Sequence, residues 1–204
     1  MAEIIDPQNA RSRRTRTALL EATRKLIENE GFDALTMATV AERAGVSRRA
    51  AYLHFSSRDE LLVALYRHLG ETEELGTSLQ AIWDSPDAVS ALIEWAHHMA
   101  RSHPRILAVS RAIERARFTD DGAAELWNFT MGNWKLGCTR LMQWLADDGA
   151  LSPVWTVETA RDMLWGLMSW DFLERLIVDR GWTHDEFGER FAVLIHATFV
   201  GAAS

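Results

Sequence analysis

The chain has little of what secreted, membrane-spanning or nucleotide-hydrolysing proteins require. Its 204 residues include a single cysteine, Cys138, so no internal disulfide can form. No uncharged apolar stretch approaches the roughly 18 residues of a spanning helix. Glu3 and Asp6 lie where a signal peptide would carry apolar residues, and no glycine-rich phosphate loop occurs. We therefore expect a cytoplasmic globular protein that makes no membrane contact.

Enzymatic chemistry also finds little support in the sequence. Glu94 and His97 have the Glu-x-x-His spacing of di-iron bundles, but the motif has no second copy. His97, His98 and His103 lack the four-residue spacing of helical metal ligands. Cys138 has no base beside it in the sequence and is expected to be a small buried hydrophobe. We therefore expect no metal, no cofactor and no enzymatic activity.

Charge is distributed unevenly along the chain. The net charge is −7, yet residues 1–70 hold 11 Lys+Arg against 9 Asp+Glu, while the rest holds 11 against 20. A basic end on an acidic body is typical of a DNA-facing segment, although ordinary surface charge would look similar. Near the N-terminus, the arginines form either an arm that enters the minor groove or a solubilising tail. The clustered arginines are Arg11, Arg13, Arg14 and Arg16, followed later by Arg48 and Arg49.

Apolar residues recur with helical period throughout, and no segment alternates with the period of a strand. The pattern predicts an all-α fold of about nine helices. The first helix is expected from about Ser12 to Glu30. Two short helices follow, joined at Gly45-Val46-Ser47 and capped by Thr36 and Ser47. We expect a three-helix unit over residues 1–56 and a larger helical body over residues 57–204.

Capping and turn residues predict how the body is divided. Ser57 and Glu60 are expected to form a reciprocal capping box that opens a long helix toward Ile82. Pro86 and Pro104 are each expected at the first position of a new helix, where the missing N–H costs nothing. Further helices are expected at about 120–148, at about 156–180 and after a second capping box at Thr183, with glycine stops at Gly31, Gly149 and Gly181.

The two short helices have the layout of a helix-turn-helix, which lays its second helix in the DNA major groove. That second helix is expected to present Arg48, Arg49, Tyr52 and His54 outward. An arginine fork suits guanine O6 and N7, whereas tyrosine and histidine suit phosphate oxygens. Arg58 lies beside the next helix N-terminus, where the helix dipole also attracts phosphate. Alternatively, Arg48 and Arg49 contact no DNA and are simply the solvated end of a helix.

Residues 36–61, with the preceding helix ending Glu-Gly-Phe, resemble the TetR family of transcriptional regulators. The resemblance implies an N-terminal three-helix DNA-binding unit and a divergent ligand-binding body. It also implies a homodimer made through the last two helices, and repression relieved by a small molecule. The matching residues are Thr36, Val40-Ala41, Ala44-Gly45-Val46-Ser47, Tyr52, His54-Phe55, Arg58 and Leu61.

By position, the resemblance implies base reading by Arg48 and Arg49, and phosphate contact by the tyrosine, the histidine and Arg58. The chain departs from the family pattern at Ala50, where threonine is frequent, and at Ala51, where a larger aliphatic residue is usual. The operator sequence therefore cannot be carried over. The candidate DNA-contacting residues are Thr36, Ser47, Arg48, Arg49, Tyr52, His54 and Arg58.

The body is rich in tryptophan, with eight of the nine beyond Asp84. Any single tryptophan is more often part of a core than of a binding site. The collective excess and the family resemblance together favour a cavity for a small hydrophobic effector of aromatic or planar character. The candidate effector-binding residues are Trp95, Met99, Arg111, Trp127, Asn128, Met131, Trp134, Trp165, Ser169 and Phe172.

A palindromic double-stranded DNA operator needs two readers about one helical turn apart, which predicts a homodimer. The last two expected helices carry many apolar residues that could pair with a second copy, and the alternative is burial within one chain. We expect a repressor released from its operator by the effector; a helical enzyme or small-molecule-binding protein with a coincidental motif is the alternative. The apolar residues are Leu164, Leu167, Ile177, Phe187, Phe191, Leu194, Ile195 and Phe199.

Overall fold

The computed structural model describes residues 7–72 and 75–201, and these residues are predominantly helical. Within them the only β pairing is one isolated bridge between Leu151 and Val200, which confirms the all-α prediction. A 3₁₀ turn lies at Phe32–Ala34 and a π-helical turn at Arg175–Asp179. The α-helices are α1 Pro7–Glu30, α2 Met37–Arg43, α3 Arg48–His54, α4 Arg58–Thr72, α5 Leu75–Trp83, α6 Ala88–Ala116, α7 Asp121–Asp147, α8 Val157–Leu167, α9 Trp170–Glu174 and α10 His184–Phe199.

The chain forms two compact units. The first contains the residues up to Leu69 together with Ala108–Trp127, and the second contains Gly70–Leu107 together with the residues from Asn128 onward. Helices α4, α6 and α7 each contribute residues to both units. The expected domain boundary after residue 56 remains a prediction.

Side-chain caps define the two short helices of the first unit. Thr36 Oγ1 accepts a hydrogen bond from the Thr39 N–H at 3.1 Å and caps α2. Ser47 Oγ accepts from the Ala50 N–H at 3.1 Å and caps α3. Between them Gly45 has φ of 68°, a region that side-chain-bearing L-residues rarely adopt. The predicted turn and both predicted caps are therefore confirmed.

The capping box before α4 differs from the predicted one. The Glu60 N–H donates to Ser57 Oγ at 3.1 Å as expected. The Glu60 carboxylate, however, accepts from the N–H and the hydroxyl of Ser56, at 2.7 and 2.8 Å. The return bond thus goes one residue further back than predicted. The long helix predicted toward Ile82 is described as α4 and α5, and residues 73–74 between them lie outside the described residues.

Both proline predictions are wrong. Pro86 precedes α6, and Asp87 caps that helix by accepting from the Ser90 N–H at 2.7 Å. Pro104 lies inside α6, which continues to Ala116. A proline within a helix removes one hydrogen bond, here to the carbonyl of Ala100, and costs about 3 kcal/mol. The buried face of α6 offsets that cost.

Most of the other predicted helix ends are confirmed. α1 ends before Gly31, and α7 ends shortly before Gly149. The second capping box is complete: the Glu186 N–H donates to Thr183 Oγ1 at 3.1 Å, and the Glu186 carboxylate accepts from the Thr183 N–H at 2.8 Å. α1 begins at Pro7, earlier than the expected Ser12.

The helix expected over residues 156–180 is interrupted. After α8 ends, Ser169 adopts an extended conformation with ψ of 142° and caps α9 by accepting from the Phe172 N–H at 3.3 Å. A hydroxyl at this position replaces the backbone bonds that a continuous helix would make. Trp165, Met168 and Phe172 therefore do not form the continuous stripe that uninterrupted periodicity predicts.

Most of the residues predicted at a dimer interface are buried in the core of the second unit instead. Of the eight apolar residues expected at an interface, Leu164, Phe187, Phe191, Ile195 and Phe199 are at most 2% exposed within the single chain. Burial within the chain is thus the correct reading for these five. Other apolar side chains on these elements remain exposed, namely Met163, Trp165, Val178, Val193 and Leu194.

Candidate nucleic-acid interface and aromatic cluster

Helix α3 presents an exposed face of mixed chemistry. Arg48 and Arg49 are exposed, and Tyr52 retains 54% of its accessible surface. Ala51 is fully buried and fixes the opposite face of the helix against its neighbours. Leu53, which the sequence reasoning did not include, is 78% exposed. The inward positions Ala51 and Phe55 already imply that the intervening leucine faces outward.

Two concave surfaces in the first unit collect six of the seven residues predicted to contact DNA. One has a volume of about 340 Å³ and the other about 630 Å³. Both are shallow and open, as a surface that receives a nucleic-acid backbone must be. The smaller is lined by Leu35, Thr36, Met37, Ala38, Arg48, Tyr52 and Arg58, and the larger by Arg11, Ser12, Thr15, Gly45, Val46, Ser47, Ala50, Leu53 and His54.

Arg58 already has an anionic partner within the chain. Its guanidinium forms a hydrogen-bonded ion pair with Asp120 and lies 5.5 Å from the centroid of the Phe32 ring. The other oxygen of Asp120 accepts from the Ala123 N–H at 2.9 Å and caps α7. A phosphate that binds Arg58 must therefore compete with Asp120, a feature that the sequence could not reveal because 62 residues separate the two side chains.

The N-terminal arginines form neither an extended arm nor a tail, because all four lie within α1. Arg16 donates to the backbone carbonyl of His54 at 3.4 Å, and its guanidinium lies 4.4 Å from the centroid of the Phe55 ring. This arginine therefore packs on the C-terminal end of α3. Contact between DNA and Arg13 or Arg14, whose side chains are exposed, remains a prediction.

The second unit contains a cluster of aromatic rings centred on His103. The centroid of its ring lies 4.8 Å from that of Trp134 and 4.7 Å from that of Trp170, and the two indoles are 5.0 Å apart. His98 extends the cluster at 6.5 Å from His103, and Trp95 lies 6.5 Å beyond His98. We call these five residues the aromatic cluster.

Burial keeps both histidines of the aromatic cluster neutral. His103 is 3% exposed, and burial is the main cause that lowers its pKa to about 3, with His98 acting in the same direction. Burial also lowers the pKa of His98 to about 4, assisted by the nearby charge of Arg101. His98 Nδ1 lies 2.9 Å from the hydroxyl of Ser78. At neutral pH the cluster thus offers hydrogen-bonding nitrogens but no imidazolium charge.

Some of the predicted effector-binding residues lie in or near this cluster, and others do not. Trp95 and Trp134 belong to it, and Met99 is fully buried in the same hydrophobic core. Phe172 instead packs against Phe187 and Phe191, with ring centroids 5.8 and 5.6 Å away. The remaining candidates in this unit are Met131, which is partly buried, and Asn128, Trp165 and Ser169, which are exposed.

Two of the predicted effector-binding residues belong to the first unit. Trp127 lies under the guanidinium of Arg117, 4.7 Å from its carbon, and Arg111 forms an ion pair with Glu114 at 2.7 Å. The ten candidates therefore divide between the two units, and their role in binding an effector remains a prediction.

His103 and Trp170 are the ring residues that the sequence reasoning missed. Trp95, Met99 and His103 follow one another at intervals of four, the spacing that places side chains on one helix face. That signal was obscured because Pro104 was read as a helix start. Trp170 was obscured because the break before α9 shifts the helical register.

Two further expectations concern metal binding and the single cysteine. Within residues 7–72 and 75–201, no three His, Cys, Asp or Glu side chains converge as metal ligands would. Cys138 is fully buried, its pKa is raised to about 12 by burial, and its thiol donates to Met168 Sδ at 3.4 Å. It is the small buried hydrophobe that the sequence predicts. No helix in the part of the chain that the structure describes is long and apolar enough to cross a bilayer.

Residues 19–65 match the model of the bacterial regulatory proteins of the tetR family. The chain carries the N-terminal domain of the TetR family. It is similar to the transcriptional regulator TtgR of Pseudomonas putida, with 40% identity over 60 residues that cover 29% of each chain. It is also similar to the regulator BetI of Rhizobium meliloti, with 33% identity over 95 residues that cover 46% of this chain and 47% of BetI. The aligned stretches thus span less than half of either relative.

Solved structures of transcriptional regulators share the fold along nearly the whole chain. NalD, the secondary repressor of the MexAB-OprM efflux pump in Pseudomonas aeruginosa, superposes with a TM-score of 0.72 at 22% identity, covering 93% of this chain and 98% of NalD. A protein from Saccharomonospora viridis in complex with choline gives a TM-score of 0.74 at 16% identity, covering 92% and 98%. At these identities the likeness concerns the fold alone.

Proposed function

We propose that the protein is a homodimeric transcriptional repressor that binds a palindromic double-stranded DNA operator and is released from it by a small hydrophobic effector. It acts in the cytoplasm, where its operator lies. The exposed face of α3 is the observation that carries the proposal. This face combines the paired guanidinium groups of Arg48 and Arg49 with Tyr52, on a helix whose other side is anchored by buried Ala51 and Phe55.

The chemistry of that face suits a major groove. Each arginine fork can donate two hydrogen bonds to guanine O6 and N7, and exposed Leu53 offers an apolar contact to a thymine methyl group. Thr36, Tyr52 and Arg58 line one concave surface that can receive a phosphate backbone. Helix α3 thus contributes the arginines for base reading, and its Tyr52 joins Thr36 at the start of α2 and Arg58 on α4 in positioning the protein on the backbone.

A homodimer is supported by exposed apolar side chains on α8 and α10. Val193 and Leu194 are 64% and 41% exposed on α10, and Met163 is 45% exposed on α8. Val193 also lines a largely apolar groove of about 460 Å³ between α6 and α10, with Ile93 on the α6 side. Isologous pairing of this face gives a dimer with two copies of α3, the number that a palindromic operator requires.

Release by an effector follows from differential binding. An effector that binds one conformation of the second unit more tightly shifts the population toward that conformation. If the two α3 helices of the dimer then no longer match the spacing of the operator half-sites, affinity for the operator falls. Helix α6 carries His103 and contributes residues to both units, which provides a continuous element for this coupling.

The test is an electrophoretic mobility shift with duplex DNA from the region around the protein's own gene. We expect sequence-specific retention at moderate salt by the wild-type protein, and retention at least tenfold weaker in the Arg48→Ala/Arg49→Ala variant. A Lys135→Ala variant, which removes an exposed charge from α7, is the matched control and should bind normally. Absence of specific retention across the whole region would contradict the proposal.

A further inference from the structure

Three side chains of the aromatic cluster, Trp95, His103 and Trp170, bury polar nitrogens without hydrogen-bond partners. Neither nitrogen of His103 nor Nε1 of Trp170 has a partner within hydrogen-bond geometry, although the carbonyl of Met99 slightly raises the His103 pKa. Their rings are in contact, with centroids 4.7 Å apart. Trp155, in the same unit, shows the usual arrangement: its Nε1 donates to the Thr198 carbonyl at 2.7 Å. Buried polar groups are normally paired in this way, so the His103–Trp170 contact is an exception that requires an explanation.

The backbone is irregular beside both rings. Pro104 follows His103 and removes a helical hydrogen bond within α6. Trp170 is the first residue of α9, directly after the break at Ser169, and the π-helical turn follows at Arg175–Asp179. Short π segments are found frequently at functional sites. The unpaired nitrogens and the irregular backbone therefore coincide at one place in the fold.

We propose that His103 and Trp170 form the polar end of the effector site, and that the effector is an uncharged aromatic molecule with an oxygen that accepts a hydrogen bond. This inference rests on the effector part of the proposed function. Trp134, which is only partly buried, supplies the aromatic wall nearest to solvent.

The ligand class follows from the chemistry of the two side chains. The indole N–H of Trp170 and one imidazole N–H of His103 can only donate, so the effector must bring an acceptor oxygen such as a carbonyl or hydroxyl. Neutral His103 supplies no charge to balance a carboxylate, and a charged ligand buried here would be uncompensated. The three adjoining rings favour an aromatic body that can stack or pack edge-to-face.

The experiment measures the affinity of the full-length protein for three probes by calorimetric titration. Acetophenone and ethylbenzene have similar shapes, but only acetophenone has an acceptor oxygen. Choline is the cationic probe, because an aromatic cluster can also bind a quaternary ammonium. The variants are His103→Phe and Trp170→Phe, which keep an aromatic ring and remove the polar nitrogens, with Trp155→Phe as the control that removes a partnered indole.

We expect the wild-type protein to bind acetophenone at least tenfold more tightly than ethylbenzene and to bind choline more weakly than either. His103→Phe and Trp170→Phe should each reduce the preference for acetophenone several-fold, because each removes a nitrogen that can donate to the acceptor oxygen. Trp155→Phe should keep the preference and lower Tm. These results would support the inference.

Three results would overturn it: equal affinity for the two aromatic probes, tighter binding of choline, or no binding of acetophenone at millimolar concentration. Operator retention by the same protein preparations separates this inference from the proposed function. Retention without a preference for acetophenone would reject only the effector class. A preference for acetophenone without retention would reject DNA binding and leave the ligand site standing.

Discussion

The exposed face of α3 and the aromatic cluster differ in nearly every physical respect. The α3 face is exposed and cationic, and Tyr52 retains 54% of its accessible surface. The aromatic cluster is uncharged and mostly buried, with Trp95, His103 and Trp170 at most 3% exposed. The exposed α3 face can exchange water for an anionic partner at little cost, whereas a ligand of the aromatic cluster must contact rings that are packed into the core of the second unit.

Because of this difference, a substitution on the α3 face should change binding without changing stability, whereas a substitution in the aromatic cluster should change both. A side chain on the α3 face can be removed without disturbing a core, so its loss should affect binding alone. A side chain in the second unit contributes to packing as well as to any ligand contact. Variants can therefore be chosen that affect one region and leave the other unchanged.

The largest expected effect is on stability and is confined to the core. Phe191 is 2% exposed and its ring lies 5.5 Å from that of Phe187. We expect Phe191→Ala to lower the free energy of unfolding by about 3–5 kcal/mol, because it creates a cavity. Tyr52→Ala, on the exposed α3 face, should change it by less than about 0.5 kcal/mol. Denaturant titration followed by circular dichroism measures both, and equal losses would remove the contrast between the two regions.

On DNA affinity, the strongest single effect should come from the α3 arginines. Loss of a bidentate arginine–guanine contact costs about 1–3 kcal/mol. Arg48→Ala and Arg49→Ala should each weaken operator binding by that amount and leave Tm unchanged, as fluorescence anisotropy with labelled duplex and a thermal melt can show. An equal weakening on random duplex would assign these arginines to phosphates instead of bases.

Acid should destabilise the aromatic cluster selectively. The pKa of His103 is about 3 in the folded chain, below its ordinary value of 6.5. Between these values the unfolded chain binds a proton that the folded chain excludes, so stability is full above pH 6.5 and falls as the pH drops toward 3. Each pH unit below 6.5 should therefore lower the free energy of unfolding of the wild type by about 1.4 kcal/mol through this group. Between pH 7 and pH 5, the free energy of unfolding should fall by about 2 kcal/mol less in His103→Phe than in the wild type.

Urea titrations at the two pH values measure this difference. His184→Phe, at an exposed position, is the matched control and should follow the wild type. Parallel losses in the wild type and in His103→Phe would show that His103 does not remain neutral in the folded chain.

The smallest expected effect is a gain of affinity at Arg58. Asp120→Asn keeps a residue that caps α7 well but removes the charge that pairs with Arg58. We expect operator binding to tighten by up to about fivefold, as a partly exposed ion pair is worth at most about 1 kcal/mol. Asp121→Asn makes the same charge change at an exposed neighbour. Equal gains in the two variants would attribute the effect to net charge, and weaker binding in Asp120→Asn would show that Asp120 orients Arg58 for phosphate.

The sequence predicts local features of this fold better than distant ones. Caps at Thr36, Ser47 and Thr183 are readable because each cap bonds to an N–H three residues away. Pro104 misled the prediction, because its cost within α6 is offset by packing that no local pattern records. The candidate sites show the same limit. The outward face of a short helix follows from its own periodicity, whereas contacts between separate helices do not.

Contacts between distant segments escape such reasoning. The pairing of Arg58 with Asp120 and the meeting of His103 with Trp170 depend on how separate helices pack. Position along the chain carries no information about them. The exposed residues of α3 could therefore be predicted individually from the sequence, whereas the centre of the aromatic cluster could not.

In vitro selection from random duplex DNA tests most directly whether α3 reads sequence in a dimer. We expect the wild-type protein to enrich an inverted repeat whose half-sites lie about one helical turn, or a multiple of it, apart. We expect the Arg48→Ala/Arg49→Ala variant to enrich nothing. Enrichment of no sequence by the wild type, or of the same sequence by the double variant, would contradict sequence reading by α3.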